Sequence, residues 1–236
     1  MLYFIYRKEE EYLNINQVIL KTKRLEEMKK FYRDILELPI EIVTNGSFKI
    51  KFGLTIVEFT NVHEAEEPFY HFAFDIPKNQ FQAAKEWVKQ KVTLLKEEDQ
   101  DEVYFASIKA NSLYFEDPSG NIVEFIARLD NPSTHVPFTA ANIIKMSEIS
   151  LVVKDKVQAA KQLRELSIVE RDGEEVTNDN TLSFMTKGDL PVYLLLVNPK
   201  RRWFFSNKVA TVFPLDIMLD SKINIGVNDD NNFYIK

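Results

Sequence analysis

Apolar and polar positions along the chain follow two rhythms. Period-two runs such as INQVIL, FYHFAF and NIVEFI predict strands, and runs with helical spacing lie between them. A strand over 15–22 leads into a helix over 24–38, in which Leu25, Met28, Phe31, Tyr32, Ile35 and Leu36 share one face. Strands EIVT, SFKIKF and LTIVEF follow, giving the order βαβββ. The order recurs with FYHFAFDI (69–76), a helix from about Lys78 to Lys91 carrying Phe81, Ala84 and Val88, and then VTLLKE, EVYFASIKA, SLYFED and NIVEFIA. A third copy starts at SEISLVVK (147–154), continues through a helix KVQAAKQLREL and ends with TLSFMTK and PVYLLLV. Gln82-Ala83-Ala84-Lys85 returns as Gln158-Ala159-Ala160-Lys161. The tail from Asn198 offers strands in VFPLDIML and KINIGV with no helix between them, which reads as a partial fourth unit or as strands added to the third.

Repeats of this kind predict an α+β fold built from tandem βαβββ units. Their curved mixed sheets should form a cup with the helices outside. The expected organisation places paired units one and two in residues 1–130 and a linker in 131–142. A degenerate third unit with the partial fourth then occupies 143–236.

Composition narrows the partners. Across 236 residues the net charge is −6, which argues against a nucleic-acid surface, since phosphate contacts need concentrated Lys and Arg. A small-molecule substrate or ligand is the expected partner. The chain has no cysteine, so disulfides, thiolate metal sites and a Cys nucleophile are excluded. No apolar run approaches the ~20 residues of a membrane span, and the opening MLYFIYRKEEEYL carries no small-residue cleavage site. The expected location is the cytoplasm.

One segment raises a chemical question. In YFEDPSGNIVEFIA, Pro118 and Gly120 predict a tight turn between two strands. Period-two phase then puts Glu124 on one face with Ile122 and Ile126, opposite Val123 and Phe125. A carboxylate in that company needs solvent or a partner. The same phase sets His71 with Ala73 and Asp75, opposite Tyr70, Phe72, Phe74 and Ile76. Glu58 lies opposite Val57 and Phe59.

The stretches INQVILKTKRLEEMKKFYRDILEL, YHFAFDI and EDPSGNIVEF resemble the vicinal oxygen chelate superfamily. That superfamily includes glyoxalase I, bleomycin and fosfomycin resistance proteins and extradiol dioxygenases. The resemblance covers residues 15–127 well and 143–197 weakly. It implies metal ligands on the opening and closing strands of paired units, namely Gln17, Glu58, His71 and Glu124. That set is similar to the glyoxalase I pattern and implies a divalent ion, zinc or nickel, with Glu124 and Glu58 as the proton-transferring carboxylates. The implied activity is a metal-dependent lyase or isomerase acting on a small oxygenated substrate by proton transfer next to a carbonyl. A non-catalytic binder of the bleomycin-resistance type is the alternative. An extradiol dioxygenase would want a second His where Gln17 stands. Some relatives build the cup across a dimer, so a homodimer is a candidate assembly. In the third unit Glu148 takes the opening-strand place, but the closing strand offers only leucine there, so no second site is expected. Lys200, Arg201 and Arg202 either clamp an anion or form an exposed basic loop. His63 and His135 read as solvated loop residues.

Overall fold

The computed structural model of the chain describes residues 12–62 and 67–236. His63 and most of the MLYFIYRKEEEYL segment therefore lie outside the described residues. Unit one comprises β1 (Ile15–Thr22), α1 (Leu25–Lys30) running on into a π-helical turn (Phe31–Ile35), β2 (Ile40–Thr44), β3 (Ser47–Phe52) and β4 (Thr55–Asn61). Unit two comprises β5 (His71–Asp75), α2 (Phe81–Lys89), β6 (Val103–Phe105), β7 (Ala110–Glu116) and β8 (Ile122–Arg128). Unit three comprises β9 (Lys145–Val152), α3 (Lys156–Arg164), β10 (Val169–Glu170), β11 (Ser183–Thr186) and β12 (Tyr193–Val197). The tail supplies β13 (Leu215–Leu219), β14 (Ile223–Val227) and β15 (Phe233–Ile235), an antiparallel set without a helix. The expected α+β architecture of βαβββ repeats is present.

VTLLKE differs from expectation. Leu94 makes a single bridge to Phe115, and left-handed backbone at Glu98 and Asp99 turns the chain before β6 begins. A short apolar run buries equally well without a ladder, and here it does. The QAAK recurrence is displaced by one position from the structural equivalence. The buried positions Phe81, Ala84 and Val88 of α2 match Lys156, Ala159 and Leu163 of α3.

The units pair in an order that the sequence did not suggest. The seven-stranded sheet runs β15-β14-β13-β1-β4-β3-β2, and the eight-stranded sheet runs β10-β11-β12-β9-β5-β8-β7-β6. Unit one thus joins the tail through antiparallel β1 and β13, and unit two joins unit three through antiparallel β5 and β9. Each opening strand would otherwise be a bare sheet edge, and the neighbouring unit's opening strand covers it. Both sheets place their apolar faces in one core. Val18, Val57 and Phe59 from the first sheet meet Phe72, Phe74, Val123 and Phe125 from the second. The Phe52 and Phe74 rings stack across the junction at 4.2 Å. Gly53 completes it. At φ +56°, its absent Cβ would lie 1.9 Å from the Ile144 carbonyl oxygen, which accepts the Leu54 N–H at 2.9 Å.

The DPSG turn is held by Asp117. Its Oδ1 accepts the backbone N–H of Ser119 and Asn121 at 3.0 Å each, and its Oδ2 accepts the Tyr32 hydroxyl at 2.8 Å and the Asn121 amide at 2.7 Å. Gly120 takes the left-handed φ of 75° that the turn requires. Tyr32→Phe should therefore cost roughly 1 kcal/mol, whereas Asp117→Ala, which strips four donors of their acceptor, should cost about 3 kcal/mol. Urea midpoints of the two variants check the order, and equal losses would contradict it.

Candidate functional site

His71 opens β5, and its side chain leaves the sheet on the face opposite Phe72 and Phe74. On one side of β5 the adjacent strand β8 puts Glu124 in register with Ala73, and on the other side β9 puts Glu148 in register with the same residue. The three side chains are buried and converge, with one potential ligand atom from each lying within 4.8 Å of the others. His71 Nε2 stands 3.6 Å from Glu124 Oε2. His71 Nδ1 lies 3.0 Å from the Ile122 carbonyl oxygen, so a proton on Nδ1 donates there and leaves the Nε2 lone pair facing the carboxylates.

Electrostatics follow from burial. The imidazole is held down at about 4 by burial, and the nearby Arg201 charge adds to the effect. The Glu124 carboxyl is pushed up to about 8 by burial and by the charge of Glu148. Burial also raises Glu148, against the pull of Arg128. Arg128 itself is buried, donates from Nη2 to Glu148 Oε1, and reaches Asp75 Oδ1 through Nε at 3.2 Å. In the metal-free protein the folded state thus keeps a proton on Glu124 that the unfolded chain gives up. The resulting stability is present at low pH and is lost as pH rises from about 4.5 through about 8. The His71 imidazole, lowered to about 4, acts with the opposite sign up to about 6.5, so with metal chelated the unfolding free energy should fall chiefly between pH about 6.5 and about 8, by at most ~1.4 kcal/mol per pH unit. A flat profile would contradict the burial of an uncompensated carboxylate.

Above the cluster is a cavity of about 430 Å³ walled by Phe105, Tyr114, Ile126, Phe184, Leu195, Trp203 and Phe204, with Arg171 and Arg201 also on its lining. The segment 199–210, between the third unit and the tail, caps it. Phe205 stacks on Tyr114 at 4.6 Å, and the Trp203 ring lies 5.1 Å from the His71 ring. The cap is tied to unit two where Arg202 pairs with Glu97 and where Lys208 Nζ meets Glu116 Oε2 at 2.9 Å.

The four residues expected from the sequence form two pairs in different sheets. Gln17 and Glu58 belong to β1 and β4, where the Gln17 amide donates to Glu58 Oε2 at 3.2 Å. His71 and Glu124 belong to the eight-stranded sheet. Because the apolar faces of both sheets share one core, their polar faces point away from each other, and one ion cannot reach all four residues. The residue that joins His71 and Glu124 is Glu148, which the sequence reading set aside for want of a closing-strand partner. Leu195 indeed fills that place, in register with Ser150. Glu148 is completed by unit two instead of by its own unit. The matching position on the first sheet is Asp216, in register with Ile19 as Glu148 is with Ala73. That counterpart is already satisfied, since Asp216 accepts the Tyr234 hydroxyl and Glu58 lies 3.6 Å from Lys49 Nζ. His135 is an exposed loop residue.

Comparison with known proteins agrees with this architecture. The family described as Glyoxalase/Bleomycin resistance protein/Dioxygenase superfamily matches residues 14–125, and the family described as Toxoflavin-degrading enzyme matches residues 146–201. Glyoxalase I from Zea mays is similar in structure with a TM-score of 0.54 at 13% identity, over 94% of this chain and 91% of that one. An integron cassette protein from a Halifax Harbour sewage outfall aligns at 25% identity and TM-score 0.43, over 48% of this chain and 97% of its own. Lactoylglutathione lyase from Agrobacterium tumefaciens aligns at 19% identity and TM-score 0.39, over 48% of this chain and 92% of its own. No curated protein sequence matches the chain. Among the described residues no helix is long and apolar enough to cross a membrane. With their βαβββ order and the match over residues 14–125, the first two units belong to the glyoxalase/bleomycin resistance protein/dioxygenase superfamily, the vicinal oxygen chelate proteins.

Proposed function

We propose that the cup of the eight-stranded sheet is a metal-dependent lyase or isomerase site acting on a small oxygenated substrate. The observation that carries this reading is the buried convergence of His71, Glu124 and Glu148. Two carboxylates and a neutral imidazole converge here with one guanidinium, Arg128, bonded to Glu148, and a divalent cation suits that donor set. Zinc, nickel and manganese are the candidates for a mixed nitrogen and oxygen set. Such an ion, when bound, would act as a Lewis acid toward a substrate carbonyl.

The chain's own residues divide the remaining work. Arg128 fixes Glu148 through a charge-assisted hydrogen bond, so Glu148 is the anchored carboxylate. Glu124 stands 3.6 Å from His71 Nε2 and meets the Ser112 and Tyr114 hydroxyls, with no guanidinium bonded to it, and is the less anchored of the two. Glu124 is therefore the group that takes a proton from a substrate carbon and returns it to the neighbouring one. Tyr114, Trp203 and Phe204 exclude water from the reacting carbon. Gln17 and Glu58 have no part in this site.

The test is carbon–hydrogen exchange. Protein loaded in turn with zinc, nickel and manganese is incubated in deuterated water with a panel of α-hydroxyketones and hemithioacetals and followed by NMR. Exchange that disappears in Glu124→Gln is the expected result. Ligand binding without exchange under any metal would instead favour the non-catalytic binder, and oxygen uptake with catechols and ferrous iron would favour the dioxygenase.

A further inference from the structure

The fold separates the three consecutive basic residues of the cap. Lys200 is exposed. Arg202 points away from the cup, where it pairs with Glu97 and donates from Nη1 to the Ser206 carbonyl at 2.8 Å. Arg201 alone of the three lines the cavity. Its guanidinium carbon lies 5.7 Å from the centre of the Trp203 ring, and its Nη1 donates to the Arg202 carbonyl at 3.1 Å. The other arginines near the cup are committed. Arg128 serves Asp75 and Glu148, and Arg171 pairs with Asp172 at 2.5 Å while covering the Phe184 ring at 4.2 Å. Among the described residues Arg201 has no carboxylate partner, although more than half of its surface is withdrawn from water.

A guanidinium that gives up water without gaining an anion is waiting for one, and its planar fork of donors fits a carboxylate in two parallel hydrogen bonds. The walls beside it are rings: Phe105, Tyr114, Phe184, Trp203 and Phe204. Flat π faces on several sides of a cavity of about 430 Å³ select a flat, conjugated body over a branched aliphatic one. We propose that the cup takes a planar aromatic acid, with Arg201 clamping its carboxylate and the rings enclosing its conjugated body. This names the ligand class of the site described under Proposed function, yet the clamp itself needs no metal.

Calorimetric titration with 2-naphthoate and with its neutral isostere 2-naphthamide tests the proposal, on zinc-supplemented protein and on protein treated with chelator. The acid should bind roughly ten-fold or more tightly than the amide, as expected for a charged hydrogen-bonded pair. Arg201→Gln should remove that preference while leaving amide binding unchanged, and Arg201→Lys should restore part of it. Unchanged thermal unfolding of the variants confirms that the fold is kept, as one lost backbone hydrogen bond implies. Equal binding of acid and amide, full acid affinity in Arg201→Gln, or no binding of either compound would overturn the clamp. Zinc binding is scored separately by its stabilisation of the same samples. An acid preference without any zinc effect keeps the clamp and removes the metal reading, and the reverse pattern does the opposite.

Discussion

Arg128→Met is expected to destabilise the protein by about 3–5 kcal/mol, the largest effect foreseen for a single side chain. Arg128 is 2% exposed and bridges β8 to the carboxylates of Asp75 on β5 and Glu148 on β9. Its removal strips two buried acids of their hydrogen-bonded countercharge, leaving only the more distant Lys145 and Arg171, in a face that already holds Glu124. The methionine fills similar volume, so the loss is electrostatic and not one of packing. Two comparisons isolate the cause. Lowering the pH should recover part of the loss, because protonating Asp75 and Glu148 removes the orphaned charges. The double variant Arg128→Met with Glu148→Gln should be more stable than Arg128→Met alone. Chemical denaturation measures both, and a single variant within about 1 kcal/mol of the parent would show that the pair contributes little.

Metal stabilisation gives the second large effect. At a free metal concentration about 100-fold above Kd, one site stabilises the native state by ~2.7 kcal/mol, which for a chain of this size raises Tm by roughly 5–10 °C. Glu124→Gln and His71→Ala should lose most of that gain, since each removes one of three donors. Gln17→Ala and Glu58→Gln should keep all of it. The contrast matters because all four positions carry ligand-type residues on opening or closing strands. Loss of the gain in the Gln17 or Glu58 variants would place the ion on the seven-stranded sheet.

Much of the local structure was legible in the sequence. Strand phase placed His71 and Glu124 on the face opposite Phe72 and Phe125, because a two-residue period and a bulky apolar row leave one choice of core face. The DPSG turn followed from local chemistry in the same way, and so did the stripe of Leu25, Met28, Phe31, Tyr32 and Leu36, but the π-helical turn leaves Ile35 exposed. Unit pairing did not follow. Strands β1 and β5 each need an edge partner, and nothing within a βαβββ unit says whether that partner comes from the next unit or from the tail. That choice moved the cluster from Gln17 and Glu58 to Glu148. Glu148 was recognised as an opening-strand residue, and asking which unit could complete it would have found the site. Trp203 and the cap carried a weaker signal, an aromatic run after three basic residues, whose role depends on where the connection between unit three and β13 crosses.

The most direct test of this account is a crystal structure of metal-soaked protein with anomalous data collected at the metal absorption edge. The expected result is an anomalous peak bound by His71 Nε2 and by carboxylate oxygens of Glu124 and Glu148, with ligand distances of about 2.0–2.2 Å for zinc. A peak beside Gln17 and Glu58, or a cup with no peak in fully soaked crystals, would contradict it.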